Sequence, residues 1–276
     1  MAKRHYSSAL SSLFGSFASR RFAPGIQKVI NRGYVRFMGL EMGEFRAPEE
    51  YESLNALFTR ALERSRQIDP DPAAVVSPCD ARISDYGQIR EGRAHQIKGM
   101  AYSVAELLTE EYAGEAPALE GGPYANFYLS PRDYHRYHIP FDLEVESVTH
   151  VPGKLYPVNM PLLKNKLNLF IENERVILAA RDLRGRRHFL ILVGALNVGK
   201  MVVSFEPRIH TNARPGAPRT TYRYEEPVAL KKGELLGWFE MGSTIVIFSG
   251  PETLEYELQI GQKVRFGQKI GTLKEA

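Results

Sequence analysis

Cysteine occurs once in this chain of 276 residues, as Cys79. No intramolecular disulfide can form and no thiolate cluster is available for zinc, which suits a reducing compartment. Long apolar runs are also missing. The longest, Phe189 to Leu196, falls far short of the ~20 residues that a membrane-spanning helix needs and reads as a buried strand. Acid is absent from the first 40 residues, which hold Lys3, Arg4, Arg20, Arg21, Lys28, Arg32 and Arg36, so this segment carries +7 while the other 236 residues sum to −3. Such a local basic field favours an anionic surface, either nucleic acid or acidic lipid. The zinc-helix pattern H-E-x-x-H does not occur. What is present is ordinary: 43% hydrophobic and 25% charged residues describe a globular protein and exclude collagen, coiled coil and bulk disorder. The length fits one large domain, or a domain with an extension.

The basic segment is amphipathic. Leu10, Leu13, Phe14 and Phe17 recur at i, i+3, i+4 and i+7, on one helical face. Pro24-Gly25 interrupts the pattern, and a second stripe follows at Ile26, Val29, Ile30, Gly33, Tyr34 and Phe37. Apolar and aromatic residues on one side with arginines on the other predict helices lying in an anionic membrane surface, and favour lipid over nucleic acid. The plainer alternative is a helical hairpin packed on the body of the protein. The interrupted apolar pattern and the lack of a small-residue cleavage site argue against a signal peptide, whereas an organelle transit peptide would share the Arg- and Ser-rich, acid-poor composition. A further helix is expected over residues 49–65, with Leu54, Leu57, Phe58 and Leu62 on one face, before Pro70 and Pro72 mark a linker.

From about residue 74 the texture changes to short apolar stretches between Gly, Pro and Asn, among them 74–77, 126–129, 144–151, 176–180, 188–193, 201–205, 235–239 and 244–248. Only 104–108 reads as helix there. The expected fold class is α+β, mainly β: an antiparallel, sheet- or barrel-like catalytic domain over residues 70–276, preceded by N-terminal amphipathic helices over 1–69 that associate with membrane. Gly233–Gly237 and Gly267–Gly271 share the pattern G-x-x-[LI]-G, each a tight turn into a strand. Arg208, Arg214, Arg219 and Arg223 fall in a Gly/Pro-broken stretch, 206–226. It is expected to be a surface loop that either meets an anionic headgroup or is simply solvated.

Three segments carry chemistry: Ser77-Pro78-Cys79-Asp80, Tyr128 to Pro140 with His135 and His138, and Phe239-Glu240-Met241-Gly242-Ser243-Thr244. Each has a bland reading, as a turn aspartate, two hydrogen-bonded histidines and a Gly-Ser-Thr turn. Together they offer an acid, a base and a hydroxyl nucleophile, the ingredients of a triad in which a base takes the serine proton and a carboxylate orients the base. The two histidines also admit a zinc hydrolase with Asp80 or His150 as a third ligand. Cys79 admits a thiol nucleophile, although nothing near it in sequence argues for activation.

These segments resemble the phosphatidylserine decarboxylase family over nearly the whole chain. The resemblance is most specific at Tyr128–Pro140 (Tyr-His-Arg-x-His), Asn173-Glu174-Arg175, Ile191–Gly194 and Lys232–Thr244 (Gly-x-Phe-x-x-Gly-Ser-Thr). The chain departs from the family at Asp80-Ala81, where Asp-Gly is usual. The resemblance implies a proenzyme that cuts itself between Gly242 and Ser243 into a β chain, 1–242, and an α chain, 243–276. Ser243 becomes a covalent pyruvoyl group, the cofactor, whose carbonyl takes the substrate amine and lets CO2 leave. It implies Ser243 as nucleophile, His138 as its base, Asp80 as the residue orienting His138, and His135 as proton donor in the decarboxylation of phosphatidylserine. No metal is implied, and a homodimer is left open. The expected location is peripheral, at the cytoplasmic face of the cell membrane. The nearest alternative is a pyruvoyl enzyme acting on a free amino acid, which would have no use for the basic amphipathic segment. A lipid-binding module that is never cut is the non-enzymatic alternative.

Overall fold

A computed structural model describes residues 15–97, 99–158, 160–196, 200–212, 217–240 and 243–275. Leu10, Leu13, Phe14, Arg214, Met241 and Gly242 lie outside the described residues. The strands are β1 (Ala74–Val76), β2 (Ala81–Gln88), β3 (Arg93–Ile97), β4 (Met100–Ser103), β5 (Pro123–Leu129), β6 (Arg136–His138), β7 (Leu143–Val151) and β8 (Arg175–Asp182). They continue as β9 (Arg187–Val193), β10 (Met201–Val203), β11 (Thr220–Leu230), β12 (Leu235–Phe239), β13 (Ser243–Ser249), β14 (Leu254–Tyr256), β15 (Lys263–Val264) and β16 (Lys269–Leu273). Helices are few: α1 (Pro24–Met38), α2 (Leu54–Phe58), α3 (Val104–Tyr112), α4 (Met160–Asn165) and α5 (Leu169–Glu172). The architecture is α+β, mainly β, and its named strand pairs are antiparallel.

An eight-stranded sheet in the order β11-β7-β8-β9-β13-β5-β2-β15 forms the body. It has two ends and does not close into a barrel. β13 lies in its interior between β9 and β5, and every residue from Ser243 to Ser249 is buried, which explains why this strand reads as a continuous apolar run with no alternation. Two three-stranded sheets, β10-β12-β6 and β1-β16-β14, pack beside it. The two glycine turns belong to these smaller sheets. Gly233 and Gly267 have φ of +82° and +85°, a backbone that only glycine adopts without strain. At the far end of each repeat a Cβ on Gly237 or Gly271 would lie 1.8 or 2.3 Å from a carbonyl oxygen of the adjoining strand.

Three expectations need correction. Beyond residue 74 the pattern predicts helix only at 104–108, but α4 and α5 are helices as well. The helix expected over 49–65 is only α2, because Arg60 and Arg66 draw the following chain onto the sheet domain: Arg60 Nη2 donates to the Arg132 carbonyl (3.1 Å) and Arg66 to Asp80 (2.5 and 3.0 Å). The stretch 206–226 is not simply a loop. β11 begins at Thr220 and forms the sheet edge against β7, where polar side chains and Pro227 are tolerated and disguise a strand. Arg208, Arg219 and Arg223 pair with Glu206, Glu110 and Glu111.

The orientation of α1 is unusual. Its buried residues are the polar Gln27 and Asn31. Gln27 donates to Asn31 (2.8 Å), whose amide donates to the carbonyls of Pro48 (2.8 Å) and Tyr51 (2.9 Å). Three of its apolar residues face outward, Ile26, Val29 and Phe37 being 56%, 71% and 88% exposed, whereas Tyr34 and Val35 pack against the cluster of Ala18, Tyr51, Leu54 and Leu57. Among the described residues no helix is long and apolar enough to cross a membrane.

Candidate active site

Ser243 opens β13 and pairs with Leu129 of β5. Its side chain is fully buried, and neither its Oγ nor the Oγ1 of Thr244 has a hydrogen-bond partner among the described residues. A buried hydroxyl without a partner costs free energy, so its retention at the head of an interior strand suggests a chemical use.

His135 is tied to the same stretch of chain. Its carbonyl accepts the Phe239 N–H (2.9 Å), and an extended chain covers at most about 14 Å over the four residues from there to Ser243. The imidazole is fully buried against the ring of Phe58, with centroids 4.0 Å apart. Nδ1 lies 2.8 Å from the Asp133 carbonyl. A carbonyl can only accept, so Nδ1 carries the hydrogen and Nε2 presents a bare lone pair. Nε2 is also buried without a partner among the described residues. Burial holds the His135 pKa down at about 3, so the ring is neutral at neutral pH.

His138 ends β6. Its Nδ1 lies 3.0 Å from the carbonyl of Gly233, in the turn before β12, and its Nε2 lies 3.1 Å from the Tyr134 hydroxyl. Phe266 stacks on the imidazole, with centroids 3.6 Å apart and planes 13° apart. Burial lowers the His138 pKa to about 4.

Asp80 makes no direct hydrogen bond to His138 among the described residues. Its carboxylate takes two hydrogen bonds from Arg66 and accepts the Phe266 N–H (2.8 Å). Asp80 therefore bears on His138 through the ring of Phe266. Arg66 in turn donates to Glu44 (3.1 and 2.9 Å). Ala81 starts β2 without a positive φ, so the turn after Asp80 does not require glycine. Cys79 is fully buried, which pushes its thiol pKa up and leaves it a poor nucleophile.

Tyr134, Arg66, Phe266 and Gly233 are the participants that sequence reasoning missed. Tyr134 was visible inside Tyr-His-Arg-x-His, but nothing local assigns its hydroxyl to His138. His150 is paired with Glu174 (2.8 Å), and among the described residues no cluster of three His, Cys, Asp or Glu side chains is arranged to hold a metal. Arg175, from the Asn-Glu-Arg match, is buried and donates to the carbonyls of Leu107, Ile171, Asn173 and Glu106, a structural tie.

Residues 54–272 match the family described as phosphatidylserine decarboxylase. The chain is 46% identical to a phosphatidylserine decarboxylase proenzyme of Helicobacter pylori over 265 residues, covering 96% of this chain and 97% of that relative. It is 45% identical to the proenzyme of Campylobacter jejuni over 270 residues, 96% of this chain and 98% of that one. With the Pseudomonas fluorescens proenzyme the figure is 37% over 271 residues, 95% and 92% of the two chains.

Proposed function

The chain belongs to the phosphatidylserine decarboxylase family, and on that premise we propose that it cuts itself between Gly242 and Ser243 and then converts phosphatidylserine to phosphatidylethanolamine and CO2. The observation that carries this reading is the buried Ser243 hydroxyl, unpartnered at the head of an interior strand.

In the cut, Ser243 Oγ gives its proton to His138 Nε2 and adds to the Gly242 carbonyl carbon. The peptide C–N bond breaks, the nitrogen takes up a proton, and an ester remains. Loss of the Ser243 α-proton expels the Gly242 carboxylate, and hydrolysis releases ammonia and leaves a pyruvoyl group at position 243. The site fits such a group: Ser243 supplies its carbons, and its buried Oγ has no partner among the described residues. That group supplies an electron-withdrawing carbonyl for the substrate amine. The chain itself moves protons. The substrate amine arrives as an ammonium and must lose a proton before it can react. We assign to His135, whose Nε2 is bare, the uptake of that proton and its return to the α-carbon once CO2 has left.

The proposed α chain, 243–276, holds β13 between β9 and β5, β15 against β2, and β16 between β1 and β14. The two products of the cut are therefore expected to stay together in native buffer. Intact-mass spectrometry of the purified protein is expected to give two chains, 1–242 and 243–276, the shorter with a blocked N-terminus. Size exclusion should return both in one peak, which can also reveal a homodimer. One mass for an uncut, inactive chain would overturn the reading and leave a non-enzymatic module.

A peripheral location at the cytoplasmic face of the cell membrane is part of the proposal. It is supported by the outward apolar face of α1 and the +7 of the acid-free segment. The same feature favours a lipid over a free amino acid as substrate. Full-length protein is expected to sediment with vesicles containing anionic lipid, and high salt to release it only in part, because salt screens charge and not apolar insertion. Replacing Val29 and Phe37 together by Glu should weaken binding at least tenfold, since each buried apolar side chain contributes about 1.5–3 kcal/mol. Unchanged sedimentation of that variant would show that α1 does not face the lipid.

A further inference from the structure

We propose that Tyr134 is a positioning residue for self-cleavage: its hydroxyl holds the lone pair of His138 in the uncut chain and must release it before Ser243 can be deprotonated. The inference rests on the reading of His138 as the base for Ser243.

The tautomer follows from the partners. The Gly233 carbonyl, 3.0 Å from Nδ1, can only accept, so Nδ1 bears the hydrogen. Nε2 is then the acceptor, and the Tyr134 O–H, 3.1 Å away, is the donor. The imidazole is thus neutral and in the tautomer that general-base chemistry at Nε2 requires, yet its lone pair is engaged. Ser243 Oγ, the group that should use it, has no hydrogen-bond partner among the described residues.

The engagement is held firmly. Tyr134 is buried, and His138 is the hydrogen-bond partner of its hydroxyl. The phenol ring lies 5.9 Å from Phe45 and 6.3 Å from Phe266, with the Arg66 guanidinium 5.6 Å from its centroid. Phe45 and Arg66 both come from the segment between α1 and β1, so the hydroxyl is set from the N-terminal region of the chain. The groups facing His138 are few. Tyr134 faces it from the loop before β6, Phe266 from the turn before β16 and the Gly233 carbonyl from the turn before β12. Arg136, Arg66 and Asp80 are the nearby charges, the two arginines disfavouring the imidazolium and Asp80 favouring it.

Tyr134→Phe deletes one oxygen and keeps the ring packing. In a Ser243→Ala chain, which cannot be cut by this route, 15N NMR of labelled histidine reads the His138 tautomer and titration directly. The Nδ1–H tautomer is expected with either residue at 134. A hydrogen bond donated to the neutral ring's lone pair disfavours protonation, so Tyr134→Phe should raise the His138 pKa by about 0.5–1 unit. With Ser243 present, the acid limb of the cleavage rate of newly synthesised chain should move up by the same amount. The plateau should rise roughly threefold to tenfold, because the lone pair no longer has to be released. An unmoved pKa, an Nε2–H tautomer, or a Tyr134→Phe chain that cuts more slowly would overturn the proposal, the last by making the phenol an aid to cleavage. A wild-type chain that never cuts would sink the processing reading instead, and the titration would then report the hydrogen bond alone.

Discussion

Ser243→Ala is expected to give a single uncut chain with no decarboxylase activity and no loss of stability. The proposed cut needs the Ser243 oxygen twice, first as the nucleophile and then as the leaving oxygen of the ester, and alanine offers neither. The stability expectation comes from the local structure. Ser243 is fully buried and its Oγ lacks a partner among the described residues, so removing it relieves the desolvation of an unpaired polar group, a cost of about 1–3 kcal/mol. The backbone of β13 stays paired on both sides. A denaturing gel, a CO2-release assay on phosphatidylserine vesicles and a thermal melt check the three parts together. Normal cleavage of the alanine chain would remove Ser243 from the mechanism. An uncut chain with a much lowered Tm would mean that misfolding, and not lost chemistry, accounts for the result.

The second large effect separates the two histidines. His138→Ala is expected to accumulate uncut chain, because the proposed base for Ser243 is gone. His135→Ala should still be cut and still acquire the blocked N-terminus at 243, yet turn over phosphatidylserine about 10²–10⁴-fold more slowly, the usual cost of a lost acid–base group. The structure gives the two rings distinct surroundings. His135 is packed on Phe58 with Nε2 bare, whereas His138 is stacked on Phe266 with both ring nitrogens engaged. Burial also keeps both neutral, at about 3 and about 4, so each must accept a proton before it can donate one. Cleavage and CO2 release measured on both variants decide the matter. If His135→Ala stays uncut while His138→Ala is processed normally, the roles are exchanged. If both are processed and active, neither ring is catalytic.

Much of the sheet could be read from the chain. The stretch 235–239 appears as β12 with the same ends, and 188–193 and 244–248 each gain only one or two residues as β9 and β13. These strands are strongly apolar and bounded by turn residues, so the local pattern suffices. β11 escaped because an edge strand has no second neighbour and tolerates polar residues on either face. β6 escaped because three residues of the form Arg-Tyr-His carry no periodicity at all. At the candidate site, the motifs bring Ser243, His135 and His138 forward as candidates. The carboxylate's partners were not: Asp80 holds the backbone of Phe266, 186 residues away, and the side chain of Arg66, 14 residues back.

The sequence by itself determined the candidate groups and their kinds: one serine after a glycine at the head of an apolar strand, two imidazoles three residues apart, and a basic amphipathic start free of acid. Such features are local, written in residue type and spacing. Only the tertiary structure decided that Gln27 and Asn31 turn inward while Ile26, Val29 and Phe37 turn out, because a stripe on a helix does not say which side meets the protein. Only it decided that Gly233, 95 residues from His138, sets that ring's tautomer, that Tyr134 takes its lone pair, and that three strands of segment 243–276 pair with strands of 1–242. Hydrogen-bond partners and burial are properties of packing between distant parts of a chain. The chemistry of a side chain is inherited from its type, but its protonation state and its availability are set by whatever the fold places against it.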